Sequence, residues 1–575
     1  MDRDTEIIKN GNCISDEDAK NTSFVSKVID FRERHKKVIN QVLFGLFNIA
    51  AVIYLIIASQ SKYNDYCIEE TCRDQYCQRF GILVIIYFVY FICLFHIYLV
   101  KPFLREWIKN FGKKLMEKHG KWIKIVGITF FISTKILLII YMLVSEIAGD
   151  YSRLQSLLGI PIIIIVAVIF SNSRSRINWR VVTRGLFLQL IIALFTLKQR
   201  HVRNFVYCLS NRFLAFRLLS LNGAKFVFGE FLLEQEQTFA FYALTSLFFV
   251  SLVVGIFYYL GWIQNFLYKM GQVAKALIHT TYIESMFAFV RLYFGAMESV
   301  LFVQPFLQHV TTSELHAMLT AAFASCAISS ANLYISLGAQ PIHLITANVM
   351  SGFAGLGMSK IVYPETEDTT LKGKFIKNYK DQSDSWLDAG TKGISTALKI
   401  FGNVVAYVIA FIAAVSFLNA VLAFFGDFLM MDFKLEYILE YIFMPICWLI
   451  GIPWSDAGNI SAVFGIKYVN NELLAYKKLM EMLGKGVIEP RSAAIATFVL
   501  STFANPTAVA IVIATFVAVM PENRKIVIKL IRSSLLTAVG TSLMTASVAA
   551  FLMNADIYEF SELSNNGTKL NIHYV

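Results

Sequence analysis

The sequence predicts an all-α polytopic membrane protein, and three observations carry that prediction. Its 575 residues are 56% hydrophobic and 14% aromatic but only 16% charged, at a mean hydropathy of +0.57. A soluble globule cannot hide that much apolar surface. Apolar stretches recur at the length a bilayer core requires, about 20 residues. They fall near 42–60, 80–100, 122–147, 155–171, 182–197, 239–262, 314–338, 341–360, 396–424, 436–453, 507–520 and 527–553. Two further stretches, 273–308 and 455–506, are interrupted by Gly, Pro, Asn or Ser, and they flank the one long polar segment inside the membrane portion, 364–390. Irregular backbone at membrane depth survives only where protein or a water-filled cavity satisfies it. Paired interruptions in two comparable halves point to a transporter with a site at the midplane.

Residues 1–38 are polar and charged with no early apolar core, so no cleavable signal peptide is expected and the first span must direct the chain to the membrane. Arg32, Arg34, His35, Lys36 and Lys37 precede that span, and Lys101, Arg105, Lys109, Lys113, Lys114, Lys118 and Lys121 lie between the second and third. The positive-inside bias puts both groups in the cytoplasm. Arg174, Arg176, Arg180 and Arg184, after the fourth span, agree. The net charge of +12 is therefore a topology signal and not the footprint of a nucleic-acid binder. The loop 61–79 then faces outward with Cys67, Cys72 and Cys77, enough for one disulfide and one remaining thiol. Asn566-Gly567-Thr568 is a glycosylation acceptor if the C-terminal tail is outside; Asn21-Thr22-Ser23 has the same pattern but a basic flank that places it inside.

Within the spans, Lys135 reads as snorkelling or paired. His309, His316 and His343 have no metal spacing, and the Phe-rich stretches read as lipid-facing or packed surface. No GxSxG, Walker, dinucleotide or HExxH sequence occurs. An enzyme is therefore not expected, nor an ATP-driven pump, for which 364–390 is too short a linker, and no cofactor is implied. The most informative run is Gly295 to Glu367, where Glu298 stands at membrane depth beside a glycine. A buried carboxylate there needs a function or a partner.

Several separated blocks resemble one family. They are INWRVVTRGLFLQL at 177–190, FVFGE at 226–230, YISLG at 334–338, SKIVYPETE at 359–367, LNAVLAFFGD at 418–427, GIKYVNNELLAY at 465–476 and RSAAIATFVLSTFAN at 491–505. In this order and spacing they resemble the concentrative nucleoside transporters, over roughly 155–553. The resemblance implies nucleoside uptake at the plasma membrane, usually driven by sodium, by a homotrimer whose inverted-repeat core holds two re-entrant hairpins. It divides the chain into a cytoplasmic tail 1–38, three additional helices 39–150, the first part of the core and scaffold 151–262, the first hairpin and following helices 263–363, the polar linker 364–390, a second half with the second hairpin 391–553, and an extracellular tail 554–575.

The same resemblance assigns site residues. Where the family's first hairpin reads GQTE or SQTE and contacts the nucleobase, this chain has Gly295-Ala296-Met297-Glu298, so the carboxylate stays and two polar contacts are lost. Val300 replaces a family proline, and an apolar base contact falls on Leu301. On the ribose side the family's NEFVAY is Asn471 to Tyr476 here, which keeps Glu472; its GFANFSS keeps Phe503 and Asn505 but has Ala508 for the second serine. A carboxylate and an amide together suit a ribose diol.

The sodium cage departs further. The family's asparagine four residues before the hairpin glycine is Arg291 here, with Phe294, Ser325 and Cys326 at the remaining oxygen positions. A guanidinium has donors only, whereas a hard cation needs oxygens. Arg291 is therefore expected to act as a built-in cation that pairs with Glu298 and removes the need for sodium. Three functions stay open at this point: a nucleoside carrier with altered coupling, a facilitator or channel-like pore for another polar solute, and a non-transporting sensor. Bland readings stay open too, with Glu298 as half of a structural ion pair, Glu472 in a solvated loop, and Asn505 as a plain helix break satisfied by its own side chain.

Overall fold

The computed structural model describes residues 153–199, 218–235, 239–326, 334–335, 337–369, 371, 373–428 and 433–553, with scattered single positions besides. The chain divides into two compact units, Met1–Ile125 and Val126–Val575. In the first, the described positions, among them Asn48, Tyr54 and Tyr87, are helical. The rest of the three leading spans, their basic flanks, Cys67, Cys72, Cys77, Lys135, both tails and Asn566 lie outside the described residues.

The second unit is helix and loop, with no strand among the described residues. Two helices lead in, α1 (Arg153–Ile169) and α2 (Trp179–Lys198). One order of elements then runs twice. The first pass is α3 (Ser246–Tyr259), α4 (Trp262–Ile278), a short hairpin of α5 (Tyr282–Arg291) and α6 (Ala296–Val303), a helix that stops early, α7 (Thr312–Ala324), and α8 (Pro341–Val362). The second is α9 (Trp386–Phe428), α10 (Leu435–Leu449), a hairpin of α11 (Trp454–Val469) and α12 (Glu472–Gly484), a helix broken into α13 (Pro490–Leu500) and α14 (Pro506–Val519), and α15 (Arg524–Leu552). Corresponding members meet across the middle, α3 against α9 and α8 against α15. This is the inverted-repeat, two-hairpin core that the interrupted segments announce.

Local sequence sets these boundaries. α5 and α7 open on the capping-box residues Thr281 with Glu284 and Thr311 with Glu314; the Glu284 and Glu314 side chains accept from the Thr281 and Thr311 amides, and at α7 the Thr311 hydroxyl accepts in return from the Glu314 amide. α8, α13 and α14 open on Pro341, Pro490 and Pro506, where a missing N–H costs nothing. The apolar spans expected near 155–171, 182–197, 341–360, 396–424 and 527–553 are continuous helices. The one expected over 314–338 is not: Ser325 is extended (φ −135°, ψ 147°), and α7 ends before it. Among the described residues four helical stretches are long and apolar enough to cross a membrane, among them Trp386–Phe428 and Pro521–Leu552. They play opposite roles, since 78% of the apolar window of Pro521–Leu552 is buried in protein and only 6% of that of Trp386–Phe428. At about 1.5 Å per residue the 43-residue α9 far exceeds one hydrocarbon thickness.

The polar segment after α8 is packed, not free. Lys360, in the last turn of α8, pairs with Glu284 at 2.7 Å and Glu365 at 3.5 Å and donates to the Ser313 hydroxyl at 2.9 Å. Glu365 accepts from the Thr311 hydroxyl, Glu367 from that of Thr312, and Thr369 donates to Glu314. The stretch read as a linker thus begins as a lid of carboxylates over the N-termini of α5 and α7, where helix dipoles favour negative charge. It also contains a short helix, Gly373–Asn378, and the start of α9.

Candidate functional site

A helix that stops inside a membrane leaves its last carbonyls without intrahelical donors, and no water in the hydrocarbon replaces them. At the end of α7 the carbonyls of Ala321, Ala322 and Phe323 have partners. Ser325 Oγ donates to Ala321 O at 3.3 Å, Arg291 Nη2 to Ala322 O at 3.1 Å and also to Ser325 O, and the Phe503 amide to Phe323 O at 2.9 Å. The Asn348 side chain of α8 takes both backbone groups of Cys326 at 2.8 Å each. Arg291 Nη1 donates to Phe294 O at 2.9 Å. The guanidinium, 1% exposed, lies where the C-terminal ends of α5 and α7 converge, a place that favours a cation, and its planar fork serves several acceptors at once.

The expected Arg291–Glu298 ion pair is not formed: among the described residues no such pair joins them. The fork is turned onto backbone oxygens of the hairpin bend and of α7. Glu298, fully buried in the first turn of α6, instead accepts from the Ser246 hydroxyl of α3 at 3.1 Å. A Cβ on Gly295 would come within 2.2 Å of Glu298 Oε2, so a side chain there would require the carboxylate to shift. The residues do not fit a sodium ion either. Of the expected cage oxygens, those of Phe294 and Ser325 accept from Arg291, the Ser325 hydroxyl donates to Ala321, and the Cys326 carbonyl accepts from Asn348. Among the described residues no cluster of His, Cys, Asp or Glu could hold a metal ion.

The second break is built around Glu472, the first residue of α12. Its Oε1 accepts from the Tyr334 hydroxyl at 2.9 Å and its Oε2 from the Asn505 amide. At 7% exposure it is no solvated loop residue. Asn505 serves two partners, since its Oδ1 also caps α14 by accepting from the Ala508 amide at 2.8 Å. Phe503 lies in the break, half-buried against an apolar cluster that contains Met297, Leu301 and Ala508. α6 packs on α14, which brings the first hairpin to the second broken helix. The sequence-assigned residues thus gather as an apolar set (Met297, Leu301, Phe503, Ala508) and a polar pair (Glu472, Asn505), with Arg291 bound to the opposite break and Glu298 turned toward α3.

Three participants escaped the sequence reading: Ser246, Tyr334 and Lys467. Tyr334 stacks on Tyr476 at 4.6 Å between centroids, and its YISLG block was the signal. Lys467 is fully buried and donates to Val499 O and Thr502 Oγ1, both at 2.5 Å, with Tyr468 beneath it at 4.7 Å. An ionisable residue in an apolar run was its signal.

Residues 158–231 match the model of the Na+ dependent nucleoside transporter N-terminus and 343–550 that of its C-terminus. Human solute carrier family 28 member 3 is 30% identical over 550 residues, covering 92% of this chain and 76% of the relative. The rat protein of that name is 33% identical over 464 residues, 78% of this chain and 65% of its own length, so the match spans just under two thirds of that relative. Rat sodium/nucleoside cotransporter 2 is 28% identical over 544 residues, 92% and 79%. Among solved structures, a double variant of CNTnw in an outward-facing state gives a TM-score of 0.65 at 28% identity, covering 69% of this chain and 98% of that one. CNTnw in an inward-facing substrate-bound state gives 0.57 at 29%, covering 70% and 98%. With the two hairpins, the two broken helices and the order of the blocks all in place, this chain belongs to the concentrative nucleoside transporter family.

Proposed function

We propose that this chain carries nucleosides across the membrane by alternating access and that no sodium ion takes part in its cycle. The Glu472–Asn505 pair supports the first half of that reading. A carboxylate and an amide that already bond each other in a buried site can exchange that bond for the two hydroxyls of a ribose at little net cost, because every donor and acceptor stays satisfied. The base would lie against Phe503, Leu301 and Met297, a soft apolar surface that gives contact without direction, with Ala508 leaving room beside them. Glu298 reaches the base only by giving up Ser246. The Arg291 guanidinium supports the second half: it meets the carbonyls that would otherwise ligate an ion and stays attached to the hairpin throughout the cycle. The hairpin-bearing elements would move against a scaffold that forms a trimer in the plasma membrane.

The test is uptake of labelled uridine and adenosine by cells expressing the chain, in sodium and in choline buffer at equal pH. Equal uptake in both is the expected result. Uptake that collapses in choline overturns the sodium-free cycle; none in either buffer overturns nucleoside transport and favours another solute or a sensor.

A further inference from the structure

We propose that Lys467 is a positioning residue for nucleoside binding, and that it does in the second repeat what Arg291 does in the first; the assignment rests on the nucleoside-transport reading above. The two basic residues hold equivalent places. Arg291 stands four residues before Gly295, the N-cap of α6, and Lys467 four residues before Asn471, the N-cap of α12. Each lies in the last turn of the first helix of its hairpin and reaches the break in the next helix. Arg291 takes the carbonyls of Ala322 and Ser325, and Lys467 takes Val499 O and Thr502 Oγ1. Each repeat therefore ties its hairpin to its broken helix with one fixed cation, where a helix C-terminus favours positive charge.

Only the second tie leads directly to the polar pair. Thr502 immediately precedes Phe503 and lies three residues before Asn505, so the Lys467 ammonium fixes the segment that presents both. Among the described residues no ion pair joins Lys467 and Glu472. The consequence is specific. The lysine fixes the break that presents Asn505 without occupying the Glu472 carboxylate oxygens, whose side-chain partners are the neutral donors of Tyr334 and Asn505. Neutral partners can be exchanged for ribose hydroxyls far more readily than a direct ammonium contact could be. A point charge on a flexible stem reaches both acceptors at once.

The experiment compares uptake of labelled adenosine and 3′-deoxyadenosine, with KM and maximal rate per copy at the surface, in the unaltered chain and in Lys467→Met and Lys467→Arg. Lys467→Met should raise the adenosine KM about tenfold, the loss of one charged hydrogen bond's worth of positioning. It should leave 3′-deoxyadenosine nearly unchanged, so that discrimination between the two shrinks. Lys467→Arg should recover part of it. A purely structural lysine would instead lower the number of copies at the surface with KM and discrimination intact, and that result overturns the assignment. Should Lys467→Met fail to reach the surface, Thr502→Val removes one acceptor and leaves the charge; discrimination equal to that of the unaltered chain would be equally fatal. No adenosine uptake by the unaltered chain would overturn the transport reading itself, and this assignment with it.

Discussion

The guanidinium of Arg291 and the carbonyl of Ser325 are hydrogen-bonded across the gap between the first hairpin and the end of α7. A bound ion at such a junction can leave, whereas a side chain cannot. The bond ties the hairpin bend to the end of α7 through a side chain of the hairpin itself.

Replacing Arg291 with asparagine should restore an oxygen and free the Phe294 and Ser325 carbonyls. Uptake by Arg291→Asn is expected to become stimulated by sodium, read as the ratio of initial rates in sodium and choline. Arg291→Ala removes the donors and supplies nothing. It should lower thermal stability in detergent, since each buried carbonyl left unsatisfied costs about 1–3 kcal/mol.

Glu472→Ala should abolish uptake while surface labelling shows the protein still in the membrane. It leaves the Tyr334 hydroxyl and the Asn505 amide without their acceptor. Glu472→Gln, which keeps one carbonyl oxygen, should retain a small residual rate. Full uptake in the alanine variant would show that the ribose is held elsewhere.

By the resemblance, Met297 and Ala296 take the positions of a threonine and a glutamine expected to meet the base. The double variant Ala296→Gln with Met297→Thr should sharpen the ratio of uridine to adenosine uptake in one direction by about tenfold, the effect of one or two directional hydrogen bonds. Competition of unlabelled nucleosides against a fixed tracer reads it out. An unchanged ratio would remove the first hairpin from base selection.

Lys360 joins the capping boxes of α5 and α7 through Glu284 and Ser313. Lys360→Met leaves Glu284 as a buried charge without its cation, and should destabilise by about 3–5 kcal/mol. Adding Glu284→Gln should recover part of that loss. Thermal unfolding followed by size-exclusion chromatography measures both.

The long spans were legible because a bilayer demands an apolar run of fixed length, and α2, α8, α9 and α15 meet that demand without interruption. The hairpins were legible only as irregularity. α6 has eight residues and α5 ten, too short to stand out as membrane helices, and their character comes from tertiary packing. Glu472, Asn505 and Arg291 were found because a motif named their positions. Their partners were harder to see. Glu298 was matched to Arg291 on charge alone, yet the backbone carbonyls at two helix ends compete for a guanidinium and carry no mark in the sequence. Lys467 was passed over beside Lys135 although it sits five residues before Glu472, because one lysine in an apolar run does not reveal which helix end it faces.

The Phe503 amide bonded to the Phe323 carbonyl joins the two interrupted helices backbone to backbone. Atoms common to nearly every residue type make that link, so mutation can rewrite the side chains around it without cutting it. Side chains around the breaks can therefore change while the two breaks stay in register. Substitution drifts freely here on a frame that only a proline at position 503 would sever.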